Sequence, residues 1–119
     1  MATIKSYTDL EQSMKLAEIL PIESSDMIYV YTIDLEGDEH YDIDFRDKNP
    51  LFEDDVCAWS LAALLGVLTK NKICHYDDRY YCQYMSEGDE FPIYSTAEYD
   101  NPVDACVDMI EKLHGLKML

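Results

Sequence analysis

The residues of this chain with the most obvious capacity for chemistry are its carboxylates, densest between Asp34 and Asp55: Asp34, Glu36, Asp38, Glu39, Asp42, Asp44 and Asp47. On a hairpin, Asp34, Asp42 and Asp44 are expected on the solvent face, close enough to share a hard cation through oxygen ligands. The order Asp34-Leu35-Glu36-Gly37-Asp38-Glu39 is not a calcium loop, because its glycine comes too early and no glutamate follows at the twelfth position. A solvated acidic face accounts for the same residues, so the three aspartates are weak metal candidates. A second cluster joins Cys74, His75 and Cys82 on neighbouring strands. Zinc takes four ligands, usually in closely spaced pairs. Cys74 and His75 are adjacent, and on a strand adjacent side chains point to opposite faces, which argues against a shared ion.

Nucleophilic catalysis needs a nucleophile, a base and an orienting group brought together. The histidines are His40 in an acidic turn, His75 on a strand and His114 at a helix end, where it favours the negative end of the helix dipole. Ser60 and Cys57 fall at the start of an apolar helix, whose dipole could lower the Cys57 pKa, but capping and core roles suit them far better. The glycines are scattered singly, with no phosphate-cradling loop. The expectation is a non-enzyme with no cofactor. Cys57, Cys74, Cys82 and Cys106 form no C-x-x-C pair, and three of them fall at core-facing positions, as reduced thiols acting as small hydrophobes do.

The formal charge of −16, from 25 acids against 9 bases, repels nucleic-acid phosphates and anionic membranes. It leaves two roles for the surface: solubility, or steering toward a basic surface on another protein. Of ten tyrosines, Tyr76, Tyr80, Tyr81, Tyr84, Tyr94 and Tyr99 cluster in the second half. Tyrosine is large, stiff and polar-tipped, and so is enriched at protein interfaces. The candidate interaction surface is therefore Asp34, Asp42 and Asp44 with Tyr80, Tyr81 and Tyr84, facing lysines and arginines. One version is DNA mimicry, with carboxylates standing in for phosphates. The alternatives are a metal-dependent or small-ligand-binding domain and a homo-oligomeric structural protein.

These residues need elements to position them. Thr8-Asp9-Leu10-Glu11 reads as a capping box with Thr8 as N-cap, and Leu10, Met14, Ala17 and Leu20 continue at helical spacing to Pro21. Met27–Leu35 and the return through Tyr41, Ile43 and Phe45 alternate as a half-buried hairpin, with Asp42, Asp44 and Arg46 opposite. After a break at Asn49-Pro50, acids open a second helix over Val56–Leu68, apolar on nearly every side and so expected to be buried all round. Ile73–Tyr76 and Arg79–Met85 read as strands joined near Asp77-Asp78. The turn Ser86–Asp89 leads to an extended stretch over Phe91–Ala97, whose Pro92 is expected near its start or on an edge. Asn101 caps a last helix with Pro102 at its first position and Gly115 past its end. Val103, Cys106, Val107, Ile110 and Leu113 form that helix's buried stripe.

The expected fold is one α+β domain over residues 1–119. It has a mainly antiparallel sheet of about four to five strands and about three helices, the middle one buried. The first twenty residues lack the apolar run of a signal peptide and no stretch is long enough to span a membrane, so a cytoplasmic location is expected.

Three segments carry a resemblance: Ala17–Ser24 (AEILPIES), Ala58–Leu65 (AWSLAALL) and Asp100–Val107 (DNPVDACV). They are similar to a family of small acidic uncharacterised proteins from gut Bacteroidales genomes, their phages and mobile elements. The likeness covers most of the chain and is weakest in the middle strands. It implies a cytoplasmic accessory role tied to mobile elements, and brings no catalytic residues with it.

Overall fold

The computed structural model describes residues 5–48, 51–86, 88 and 91–119. The expected break at Asn49-Pro50 lies outside these residues, as do Glu87 and Asp89 of the expected turn.

Helix α1 spans Leu10–Ala17, one residue later than the sequence pattern places its cap. Asp9 is the N-cap: its Oδ1 accepts from the Gln12 amide at 2.8 Å, and Gln12 Oε1 accepts in return from the Asp9 amide at 3.1 Å. The box is real but displaced, because Thr8 is drawn into the core instead. The Thr8 amide donates to the Trp59 carbonyl at 2.9 Å, and Thr8 Oγ1 accepts from the Trp59 amide at 3.1 Å and lies 2.7 Å from Ser13 Oγ.

Strands β1 (Met27–Ile33) and β2 (Glu39–Phe45) form the expected antiparallel hairpin, with Tyr31 opposite Tyr41. The next apolar run departs from expectation. Val56–Ala58 is a strand, β3, pairing with β1 through Met27 opposite Ala58 and Tyr29 opposite Val56. Only Leu61–Val67 is helical, forming α2. The cause is local competition for the backbone. Trp59 is tied to Thr8, and Ser60 donates its amide to Asp26 Oδ1 at 2.8 Å and its hydroxyl to Asp26 Oδ2, so the chain stays extended until Ser60 caps α2. Nor is α2 buried all round: Leu64 is fully covered, whereas Ala62, Gly66 and Leu65, the last 37% exposed, face outward. An apolar run fits a buried strand as well as a helix, and here tertiary pairing decides.

Beyond α2, β4 (Asn71–Tyr76), β5 (Arg79–Met85) and β6 (Pro92–Ser95) form a second antiparallel sheet ordered β4-β5-β6, while the first is ordered β2-β1-β3. Two three-stranded sheets thus replace the single sheet of four to five strands expected from sequence. Asp77 and Asp78 join β4 to β5 with φ of 51° and 62°, the left-handed pair that a two-residue hairpin turn matching strand twist requires. Pro92 opens the edge strand β6, beside a register shift at Tyr84 and Met85.

Helix α3 (Pro102–Gly115) starts as its sequence announces: Asn101 Oδ1 accepts from the Asp104 amide at 2.8 Å, with Pro102 at the first position. Its expected stripe of Val103, Cys106, Val107, Ile110 and Leu113 is buried, joined by Ala105 and Met109. The core gathers around this stripe with Leu16, Trp59, Leu64 and Cys82. It draws on α1, β3, α2, α3 and β5, and the outer half of the β1–β2 hairpin lies outside it. The radius of gyration is 15.7 Å, against about 13.5 Å for a compact domain of this length, in keeping with an arm that leaves the body.

Candidate interaction surface

The hairpin turn is built by Asp34. Its Oδ1 accepts from the amides of Glu36 at 3.0 Å and Asp38 at 2.9 Å, and Gly37 takes the positive φ of 86° that the turn needs. Asp34 therefore serves its own turn, beyond the last paired residue. Asp42 and Asp44 sit two residues apart on one face of β2, with His40 beside them, its Nε2 3.2 Å from Asp42 Oδ2. Asp44 Oδ1 accepts from the Phe45 amide at 2.7 Å. The structure brings Asp42 and Asp44 together and leaves Asp34 at the far end. Among the described residues no group of three or more His, Cys, Asp or Glu is arranged to hold a metal ion.

On the opposite face of the arm lie Tyr31, Ile33, Tyr41, Ile43 and Phe45. The sequence reads this as the covered side of the hairpin, yet Ile33 is 58% and Phe45 54% exposed, and the other three are only half-buried. Tyr31 and Tyr41 meet edge to face with ring centroids 5.6 Å apart. A hydrogen bond to the Glu39 carboxylate, with some burial, pushes the Tyr31 phenol up to about 12. The arm thus carries aromatic and aliphatic surface, with Glu39 among it, on one side and Asp42 and Asp44 on the other. Between residues 34 and 47 it holds seven acids against one arginine. At its base are two adjoining grooves of about 560 and 510 Å³, which share Leu51. The second is walled by Met14, Ile22, Phe52 and Val56.

No family model, curated protein or solved structure matches this chain. Its surface must be read from its own chemistry.

Tyr80, Tyr81 and Tyr84 stand on β5, in the other sheet from Asp42 and Asp44, and so do not join them. Tyr80 stacks on His75 at 4.4 Å and pairs through its backbone with Tyr99, while Tyr84 packs against the core beside Tyr94. Tyr81 lies opposite Cys74, and a hydrogen bond to that thiol raises its pKa. The tyrosines that do flank the acids are Tyr31 and Tyr41. Their alternation is visible in the sequence, but alternation marks a face without saying whether anything covers it.

The second cluster divides by strand register. Ile73 pairs with Cys82 and His75 with Tyr80, so His75 and Cys82 share a face and Cys74 lies on the other. All four cysteines are free, with Cys57, Cys82 and Cys106 buried. Cys57 lies in β3 and not at a helix start. The Cys82 thiol donates to Asn71 Oδ1 at 3.7 Å; its interaction with the Cys106 thiol lowers the Cys82 pKa, and the same interaction with burial raises that of Cys106. Among the described residues no helix is long and apolar enough to cross a membrane.

Proposed function

We propose that this chain is a protein-interaction module whose β1–β2 arm engages a basic surface on a partner protein. The observation that supports it is one hairpin, joined to the body by β3 along Met27–Tyr29 and by the Tyr31 amide donating to Asp55 Oδ1 at 3.0 Å, with Ile33 exposed and Tyr31, Tyr41 and Ile43 half-buried on one face and Asp42 and Asp44 on the other. A solubilising surface needs the acids but not the apolar strip. An interface uses both: aromatic anchors supply contact area, and complementary charge supplies encounter rate and register. DNA mimicry is the version in which the basic surface normally holds phosphates. The accessory role implied by the family resemblance fits the same reading.

The test is co-purification with tagged native protein and the Asp42→Lys/Asp44→Lys variant, with nuclease present, at low and high salt. Salt screens exposed charge pairs over a Debye length of about 10 Å at 0.1 M. A basic partner should be held at low salt, released at high salt and lost with the variant. Partners retained by the variant and indifferent to salt would rule the arm out.

A further inference from the structure

Building on that reading, we infer that β2 is an acceptor edge, to which a partner adds an extended strand alternating apolar and basic residues. β2 is the outer strand of the order β2-β1-β3. The Arg46 amide bonds the Asp26 carbonyl at 3.1 Å, and the Asp34 amide bonds the Asp38 carbonyl at 2.9 Å. In an antiparallel ladder the bonded pairs alternate, so His40 and Asp42 direct their backbone groups to β1. Glu39, Tyr41 and Ile43 direct theirs outward.

Sheet edges are ordinarily blunted by shortness, charged side chains (lysine above all), proline or a bulge. The other edges of this protein follow that practice. β3 has three residues, β4 carries Lys72, and β6 opens with Pro92 beside the register shift. β2 runs for seven residues in regular register with β1, and has neither lysine nor proline. What it carries instead is negative charge on one face. That charge discriminates among occupants. Antiparallel pairing of β2 with a second copy centred on Asp42 sets that carboxylate against itself, and like charges directly opposite are destabilising. A strand with lysine or arginine at the positions beside Asp42 and Asp44 finds attraction there. Its intervening residues fall on the Tyr41 and Ile43 face, where apolar side chains gain cover. Main-chain bonds supply affinity in strand addition and alternate side chains supply specificity.

The experiment titrates the native protein with three nonapeptides: alternating lysine–valine, the same composition in blocks, and the alternating peptide N-methylated at alternate backbone amides. Binding is read by anisotropy, and protection of the Tyr41 and Ile43 amides by hydrogen exchange. The alternating peptide should bind best and protect both amides. The block and N-methylated peptides should bind roughly tenfold or more weakly, as loss of a few net main-chain bonds implies. Ile43→Pro removes an outward donor without touching the ladder to β1, and should weaken the alternating peptide while leaving the attraction for the blocked one. Equal binding of all three peptides, with both amides unprotected, would overturn strand addition while keeping attraction to basic partners. No binding by any peptide at low salt would overturn both. A native dimer in light scattering that Ile43→Pro dissolves would overturn the choice of occupant in favour of a second copy.

Discussion

Replacing Thr8 by aspartate separates two accounts of how the first helix begins. If Thr8 were the N-cap, aspartate would serve as well or better, since both side chains accept from the first-turn amides. In the structure Thr8 is fully buried, its hydroxyl between the Trp59 amide and the Ser13 hydroxyl, and Asp9 does the capping. Thr8→Val keeps the shape and removes the acceptor. Ser13 Oγ still donates to the Asp9 carbonyl at 2.6 Å, so the main loss is the stranded Trp59 amide. An unsatisfied buried donor costs about 1–3 kcal/mol. Two kcal/mol lowers Tm by about 8 °C, with an unfolding entropy of about 2.1 cal/mol/K per residue. Thr8→Asp should cost more, several kcal/mol, because a carboxylate enters a fully buried site. Thr8→Ser, which keeps the hydroxyl, should cost about 1 kcal/mol or less. Asp9→Ala should cost about 1 kcal/mol as the loss of a cap. The assay is urea unfolding followed by Trp59 fluorescence. A Thr8→Asp variant as stable as the native protein would refute the buried-strut assignment.

Three further outcomes can be checked. Asp77→Asn with Asp78→Gly places residues that favour left-handed φ at the β4–β5 turn, and should stabilise by about 0.5–1 kcal/mol, seen as a Tm rise of a few degrees. Burial alone would raise the Asp104 carboxyl, but bonds from Lys5 at 2.9 Å, Gln12 at 2.8 Å and Asn101 at 2.9 Å outweigh it and hold it below its usual 3.8. Its native pKa is thus depressed, so its contribution is complete above the unfolded value and disappears as pH falls through the native one. Stability below pH 4 should therefore fall less steeply in Asp104→Asn than in the native protein, in melts taken from pH 6 to 2. Under native conditions alkylation should label half-buried Cys74 first and spare Cys57, Cys82 and Cys106, as peptide mass spectrometry would show; early labelling of Cys106 would contradict its place in the core.

The parts legible from sequence are those whose signals are local. Asn101, Pro102 and the apolar stripe define α3 within one segment, because a cap and a 3.6-residue period need no distant partner. The β1–β2 and β4–β5 hairpins follow likewise from alternation on either side of short polar turns. The acids of β2 and their common face came with the same period of two. Tertiary structure alone decided the rest. Whether Val56–Trp59 is strand or helix depended on Asp26, Thr8 and β1, residues about 30 to 50 positions away, whose hydrogen bonds outweigh a propensity difference of a fraction of a kcal/mol per residue. The same pairing kept the strands in two sheets, and so parted Tyr80, Tyr81 and Tyr84 from Asp42 and Asp44. Alternation distinguishes the two sides of a strand; only the packing of other elements determines which side is covered, and on this arm it left Tyr31, Ile33 and Tyr41 at the surface.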